Sequence, residues 1–480
     1  MLLFVGHAAR SCFTSDRMNT PRTPRFLVIL LAAILAAGVS APAWAQTQTS
    51  PQSSGSTRPR TSATPPVVTP SPAPAVAEDT PEQDAIYGLQ GVLVETLDGS
   101  TVSTQAADDA AFNPASALKL ATALVALRTF GPEYRFSTGV WTDGSIDKAT
   151  GTVNGNLYIS GRDPSFHYEH GVMIARQLNA LGIRAVSGDL VIGPGFTMNF
   201  KWSAGTSGGK LYETLDASLR SGEATRSWLY ERGLLGDKTS LSSVPSVAVM
   251  GVVRVEPVAS NAKLLLSHRS SKLVDILKVL LCYSNNFMAE RIGDSIGGVQ
   301  GVRRQLIDTL GLTPDQLQMA SLSGLGVNRA SPRTMMKIFR ALREELRKHR
   351  LSTTDIMPVA GIDPGTMETR FTDPAYRGSV IAKTGTLLRT DGGASSLVGQ
   401  MKTLSGATLL FVIMNRRGSV LKFRSNQDFL VMQIQSSRGG PSAFSYKPRS
   451  LPMKLSDTQS SFAGAGDEFE PVNKLSTAPR

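Results

Sequence analysis

The chain has 480 residues, with 50 Lys and Arg against 38 Asp and Glu, for a formal charge of +12. That length supports a two-domain body, and two cysteines exclude a disulfide-stapled scaffold. The basic balance favours anionic surfaces, but no nucleic-acid motif or basic–aromatic pattern accompanies it, which excludes nucleic acid as the partner.

The chain opens on an export signature. Arg22 and Arg25 precede an apolar run from Phe26 to Val39, and Ala43-Trp44-Ala45 offers an A-x-A cleavage site before Gln46. The run is about 14 residues, too short for an ordinary membrane span. Residues 1–45 therefore read as a signal peptide cleaved after Ala45, with initiation expected at Met18 and a periplasmic destination. Four Arg and Asp16 leave with it, so the remainder stands near +9. Residues 46–82, rich in Ser, Thr and Pro, read as a disordered linker.

Residues 83–137 begin with a hairpin, Gly91 to Leu97, an Asp98-Gly99 turn, then Thr101 to Ser103. Next comes Asn113-Pro114-Ala115-Ser116-Ala117-Leu118-Lys119, followed by an Ala- and Leu-rich run. Asn113 suits an N-cap and Pro114 a first helical residue, which puts Ser116 in the first turn and Lys119 one turn on, on the same face. Four other S-x-x-K strings start at Ser145, Ser207, Ser260 and Ser419. Those at Ser145 and Ser207 lie in turn- or Gly-rich stretches with no apolar helix behind them. At Ser116 the helix N-terminus favours a developing alkoxide, and a desolvated lysine can take the serine's proton.

Residues 138–264 are dense in Gly, Val and Thr and read as a mostly β insertion with one helix near 171–181. Its His167-Tyr-Glu-His170 string has neither H-E-x-x-H spacing nor an apparent third ligand, so it reads as a surface turn and not a metal site. Helices follow at about 271–281, 287–296, 300–310 and 332–347. Cys282 sits in an apolar run and reads as a packing residue. Ser284-Asn285-Asn286 falls in the loop between the first two of these helices. Lys383-Thr384-Gly385-Thr386 lies in a β-rich run, with further strands near 394–401 and 405–414. Gly385 there would let a ligand's backbone approach closely. The region 265–435 thus completes the body begun by 83–137, and 436–480 reads as a disordered Ser-, Gly- and Pro-rich tail with no membrane-anchoring helix.

S-x-x-K, S-x-N and K-T-G in this order form the set of β-lactamases and penicillin-binding proteins. Three longer strings extend the match: Asn113 to Ser116, Gly155 to Pro164, and Met357 to Arg370. From about residue 85 to 415 the chain resembles the D-alanyl-D-alanine carboxypeptidases and endopeptidases of the low-molecular-mass, class C penicillin-binding type, peptidase family S13. The resemblance implies an α+β, serine β-lactamase/penicillin-binding-protein-like fold, an antiparallel sheet flanked by helices, with an inserted domain after the nucleophile. The 168 positions between Ser116 and Ser284 leave room for that insertion.

The resemblance also implies roles. Ser116 is acylated, Lys119 is general base, Ser284 and Asn286 support proton transfer, and Lys383 and Thr384 bind the substrate carboxylate. Gly385 belongs to the same strand motif, and the N–H groups of Ser116 and Thr386 form the oxyanion hole. No metal or organic cofactor is called for. The expected partners are peptidoglycan stem peptides and β-lactam antibiotics, with no nucleic acid and no stable membrane anchor. Two departures stand out. Ser321-Leu-Ser-Gly324-Leu-Gly-Val-Asn328-Arg329 lacks the aspartate of the family's D-G-S-G-L-S-R string, and Ser-Asn-Asn replaces Ser-Asp-Asn. Neither touches a group assigned to the chemistry on this reading. The alternatives are a serine β-lactamase or esterase on the same scaffold, or a catalytically weak peptidoglycan-binding protein.

Overall fold

The computed structural model describes residues 88–109, 111–238, 241 and 244–464, so the signal peptide, Met18 start and linker lie outside the described residues. A hairpin of β1 (Leu89–Thr96) and β2 (Thr101–Gln105) turns at Gly99, whose φ of 100° suits glycine. A 3-10 turn, Ala115–Leu118, then runs directly into α1 (Lys119–Phe130), which is buried along most of its length.

The chain next enters a second sheet through β3 (Ser137–Thr142), β4 (Leu157–Gly161), α2 (Tyr168–Ala180) and β5 (Leu190–Ile192). It continues through α3 (Ala204–Leu215), α4 (Gly222–Leu235), β6 (Val253–Val255) and β7 (Lys263–Arg269). β3 and β7 are antiparallel neighbours, so the chain enters and leaves this sheet on adjacent strands. That is the geometry by which a segment can be inserted without separating the flanking elements.

From β7 the chain returns through α5 (Leu273–Tyr283), α6 (Asn286–Asp294), α7 (Gly298–Leu310) and α8 (Pro332–Lys348). Ser331 caps α8 by accepting from the Thr334 N–H at 3.0 Å, with Pro332 behind it. Three long strands follow, β8 (Val380–Leu387), β9 (Ala394–Lys402) and β10 (Thr408–Arg416), then α9 (Val420–Ser436). α10 (Leu451–Leu455) and β11 (Gln459–Phe462) come last.

The first sheet is antiparallel throughout, in the order β8-β9-β10-β1-β2. Strand alternation assigns its two faces. Val92 and Val94 pack with Val431 of α9, while the opposite face offers Glu95 to Arg340 of α8. The second sheet runs β6-β5-β4-β3-β7-β11 and is mixed, with β5 parallel to both β4 and β6.

Two expectations change. The 138–264 stretch carries three helices where the sequence suggests one, because glycines weaken the helical signal of α3 and charge-rich α4 lacks a strong apolar period. Residues 441–464 are not a featureless tail. Leu451 and Leu455 of α10 are buried, and β11 pairs with the edge of β7. Among the described residues no helix is long and apolar enough to cross a membrane.

Candidate active site

The turn that carries Ser116 is held by contacts from distant segments of the chain. Asn113 Oδ1 accepts the Ala115 N–H at 3.0 Å, and its amide reaches the Gly326 carbonyl at 2.9 Å. Ala115 then takes a φ of +47°, a left-handed conformation costly for alanine, and presents Ser116. Ser396 of β9 donates to the Pro114 carbonyl at 2.6 Å. A Cβ at Gly385 would lie 2.3 Å from that carbonyl oxygen, so β8 passes against the turn only because the position is glycine. The backbone that crowds Gly385 on this side is the protein's own. Ser116 sits in a 3-10 turn and not an α-turn, but Lys119 still falls on the same side.

Lys119 is fully buried, its Nζ 2.9 Å from Ser116 Oγ, 2.7 Å from Asn286 Oδ1 and 2.6 Å from the Ser323 carbonyl. Burial, reinforced by the nearby Lys383 charge, holds this amine well below the ordinary lysine range, with Glu290 opposing in part. An amine held neutral beside a serine hydroxyl can accept its proton.

Ser284 closes α5 in the left-handed conformation, φ 56°, and Asn285 caps α6 by accepting from the Met288 N–H at 2.9 Å. The reversal turns Ser284 towards β8, where Lys383 Nζ lies 2.9 Å from its Oγ. Lys383 is also fully buried and is lowered to about 7 by burial, with Arg424 adding to the effect and Cys282 opposing it. The Cys282 carbonyl accepts the Thr366 N–H at 2.9 Å, tying the 357–370 segment to the end of α5. Burial pushes the Cys282 thiol up to about 12, as befits a packing residue. Behind α5, Lys278 and Asp363 form an ion pair at 2.6 Å, each side chain 1% exposed. Tyr446 also donates to Asp363, at 2.6 Å.

Four participants lie outside the residues the sequence points to: Ser323, Gly324, Glu290 and Arg424. The Ser323 carbonyl and the Gly324 backbone belong to the 321–329 stretch, which therefore does touch the catalytic groups, contrary to expectation. A Cβ at Gly324 would fall 1.9 Å from the Ala115 carbonyl oxygen. In place of the family's aspartate, Ser321 Oγ accepts the Gly324 N–H at 3.0 Å, and Glu290 accepts from Ser323 N at 2.8 Å and Leu322 N at 3.2 Å. Arg329 pairs in bidentate fashion with Asp391 at 2.9 and 2.7 Å. Arg424 of α9 donates to Thr386 Oγ1 at 2.8 Å and adds a cation beside the K-T-G strand. Glu290 sits one turn after Asn286 on α6, a signal available in the sequence; Arg424 had none.

The arrangement couples two lysine–serine pairs in a buried setting, with cations and hydroxyls along one strand. It can deprotonate a nucleophile, return a proton to a leaving group and hold an anion.

The His167-His170 string is a further correction. His170 is buried in the first turn of α2 and not on a surface turn, and a third candidate ligand, His268, comes from β7.

A model of the D-Ala-D-Ala carboxypeptidase 3 (S13) family matches residues 75–198 and 243–432, well over half of the chain. The unmatched stretch between them holds α3 and α4. A carboxypeptidase of Mycobacterium tuberculosis is 26% identical over 374 residues, 68% of this chain and 76% of the relative. A D-alanyl-D-alanine carboxypeptidase from an Actinomadura strain is 34% identical over 117 residues, 24% of this chain and only 21% of that relative's length. Among solved structures, a predatory peptidoglycan endopeptidase of Bdellovibrio bacteriovorus aligns at 20% identity with a TM-score of 0.63, covering 75% of this chain and 96% of that one. It has also been solved acylated by penicillin G. Penicillin-binding protein 4 of Haemophilus influenzae aligns at 20% identity and a TM-score of 0.54, covering 73% and 97%. These structures share the fold.

Proposed function

Since the chain belongs to the D-Ala-D-Ala carboxypeptidase 3 (S13) family, we propose that it is a serine D-alanyl-D-alanine carboxypeptidase, with endopeptidase action on cross-linked stem peptides open to the same chemistry. The observation that carries this reading is the pair of contacts Lys119–Ser116 and Lys383–Ser284, each 2.9 Å, between fully buried amines and serine hydroxyls.

In the first step neutral Lys119 takes the proton of Ser116 Oγ as that oxygen attacks the carbonyl carbon of the penultimate D-Ala. The N–H groups of Ser116 and Thr386 face the developing oxyanion. The C–N bond breaks, and the departing amine receives a proton through Ser284, which Lys383 holds. Asn286 fixes the Lys119 amine throughout. The substrate's terminal carboxylate is met by Lys383 and the hydroxyls of Thr384 and Thr386, with Arg424 oriented on Thr386. Water then attacks the acyl-enzyme with Lys119 again as base, releasing the shortened peptide.

A β-lactam presents its strained carbonyl to the same serine, and the penicillin-acylated Bdellovibrio neighbour supports that expectation. We place the enzyme in the periplasm, supported by the 22–45 signal pattern and by relatives that act on the cell wall. N-terminal sequencing of protein recovered outside the cytoplasm is expected to start at Gln46; an uncleaved chain there would overturn the export route.

Intact mass after incubation with benzylpenicillin tests the function. A long-lived adduct absent from Ser116→Ala, together with D-Ala release from a stem peptide, is the expected result. An adduct that turns over within seconds would point to a β-lactamase, and no adduct would leave a wall-binding protein.

A further inference from the structure

Away from the catalytic groups, the second sheet buries an unusual set of polar side chains. Asp163 follows β4 and is 2% exposed. Its Oδ1 accepts from the Ser165 N–H at 2.8 Å and hydroxyl at 2.6 Å, while Oδ2 has no hydrogen-bond partner among the described residues. His170, in the first turn of α2, uses Nδ1 to accept the His167 N–H at 3.0 Å and leaves Nε2 without a partner of good geometry. His268, in β7, has Nδ1 3.4 Å from Ser460 Oγ of β11, and its Nε2 is likewise unpartnered. One candidate ligand atom from each of the three residues lies within 4.8 Å of the others. Phe166 walls the group, its ring 5.5 Å from that of His170 and 5.8 Å from that of His268.

Three elements thus bring candidate ligand atoms to one point beside the Phe166 ring. A carboxylate and two imidazoles are a poor group to bury together, since neither imidazole is well placed to neutralise the acid. A divalent cation resolves the arrangement. Two nitrogens and one oxygen suit zinc and its first-row neighbours, whereas calcium and magnesium prefer oxygen alone.

We propose that Asp163, His170 and His268 hold a divalent transition-metal ion of the zinc class, a structural clasp joining β4, α2 and β7. One local change accompanies loading. Because the His167 amide donates to His170 Nδ1, the neutral ring carries its proton on Nε2. The ion can take Nε2 only if that proton moves to Nδ1 and the amide lets go. Loaded and metal-free forms therefore differ first at the start of α2.

The test uses untagged protein purified from expressing cells and stripped with a chelator. Zn²⁺ is titrated under native mass spectrometry and Co²⁺ by visible absorption. We expect one equivalent of either ion, ligand-field bands of a four-coordinate Co²⁺ site and a raised melting temperature. His268→Gln and Asp163→Asn should lose all three, and His349→Gln should keep them. Circular dichroism checks that each variant folds. Wild-type protein that takes up no ion overturns the proposal, and so does uptake that persists in both His268→Gln and Asp163→Asn. If those variants fail to fold, the wild-type stoichiometry and the Co²⁺ spectrum decide, since a surface site would not give four-coordinate bands.

Discussion

Gly324 lies so close to Ala115 that a Cβ on it would sit 1.9 Å from the Ala115 carbonyl oxygen, and its φ of 86° already disfavours any other residue. The serine nucleophile follows directly in the chain, so the loop at 321–329 presses the turn that presents Ser116 into its left-handed shape. Gly324→Ala is therefore expected to slow acylation by benzylpenicillin at least ~100-fold, equivalent to roughly 3 kcal/mol of barrier. Stopped-flow acylation beside a thermal melt checks this; an unchanged rate in a folded variant would show that the contact does not shape the nucleophile.

The pH profile of acylation reads the state of Lys119. Burial and the Lys383 charge hold its amine well below the ordinary lysine range. Acylation should therefore already be fast at neutral pH and decline on acidification as Lys119 gains a proton. A rate that instead climbed about tenfold per unit up to pH 10 would mean an ordinary lysine, and another group would have to serve as base.

Stability should also carry a lysine signature. Lys383 is lowered to about 7 in the folded protein, from an unfolded value of 10.5. Between those values the unfolded chain binds the proton that the folded one has released, so stability rises with pH across that window. Cys282 acts oppositely: its thiol is pushed up from 9.0 to about 12, so its contribution falls once the unfolded thiol ionises. Glu231, raised by burial to about 8, opposes this below that pH, so the clean window is about pH 8 to 9, where urea unfolding should show a positive slope. Lys383→Met should reduce that slope by at most about 1.4 kcal/mol per pH unit.

Arg424 is expected to act on the substrate carboxylate through Thr386. Arg424→Gln should raise KM for a stem-peptide analogue roughly tenfold, about 1.4 kcal/mol, with a smaller change in kcat. A substrate with an amidated C-terminus should be processed alike by both proteins. Equal losses on both substrates would assign Arg424 a packing role only.

The Lys278–Asp363 pair sets the position of α5 and thereby of Ser284. Lys278→Met leaves a buried carboxylate alone and should cost about 3–5 kcal/mol in urea unfolding. Adding Asp363→Leu should recover part of that loss, because the stranded charge is then gone.

What the sequence reveals here is the side-chain chemistry carried in short strings. Ser116, Lys119, Ser284, Asn286 and Lys383 are all found together, as are the helices whose starts carry a cap such as Ser331-Pro332. What it hides is contact made by backbone. The Ser323 carbonyl that holds Lys119 could be any residue's carbonyl, so no letter at position 323 announces it. The same holds for Gly385, where only the fold reveals that the Pro114 carbonyl is a neighbour. His268 escaped notice because a strand 98 positions beyond His170 brings it in, and no local period encodes such a meeting. α3 is masked by its glycines and α4 by the lack of an apolar stripe.

The pairing of β11 with β7 sets an order of assembly. Ser460 meets His268 across 192 positions of chain, so the second sheet cannot gain its outer strand until all of that intervening chain has been synthesised. Until then the edge of β7 stays open, and closing it is a slow, long-range step that guards the finished sheet against pairing with a stranger.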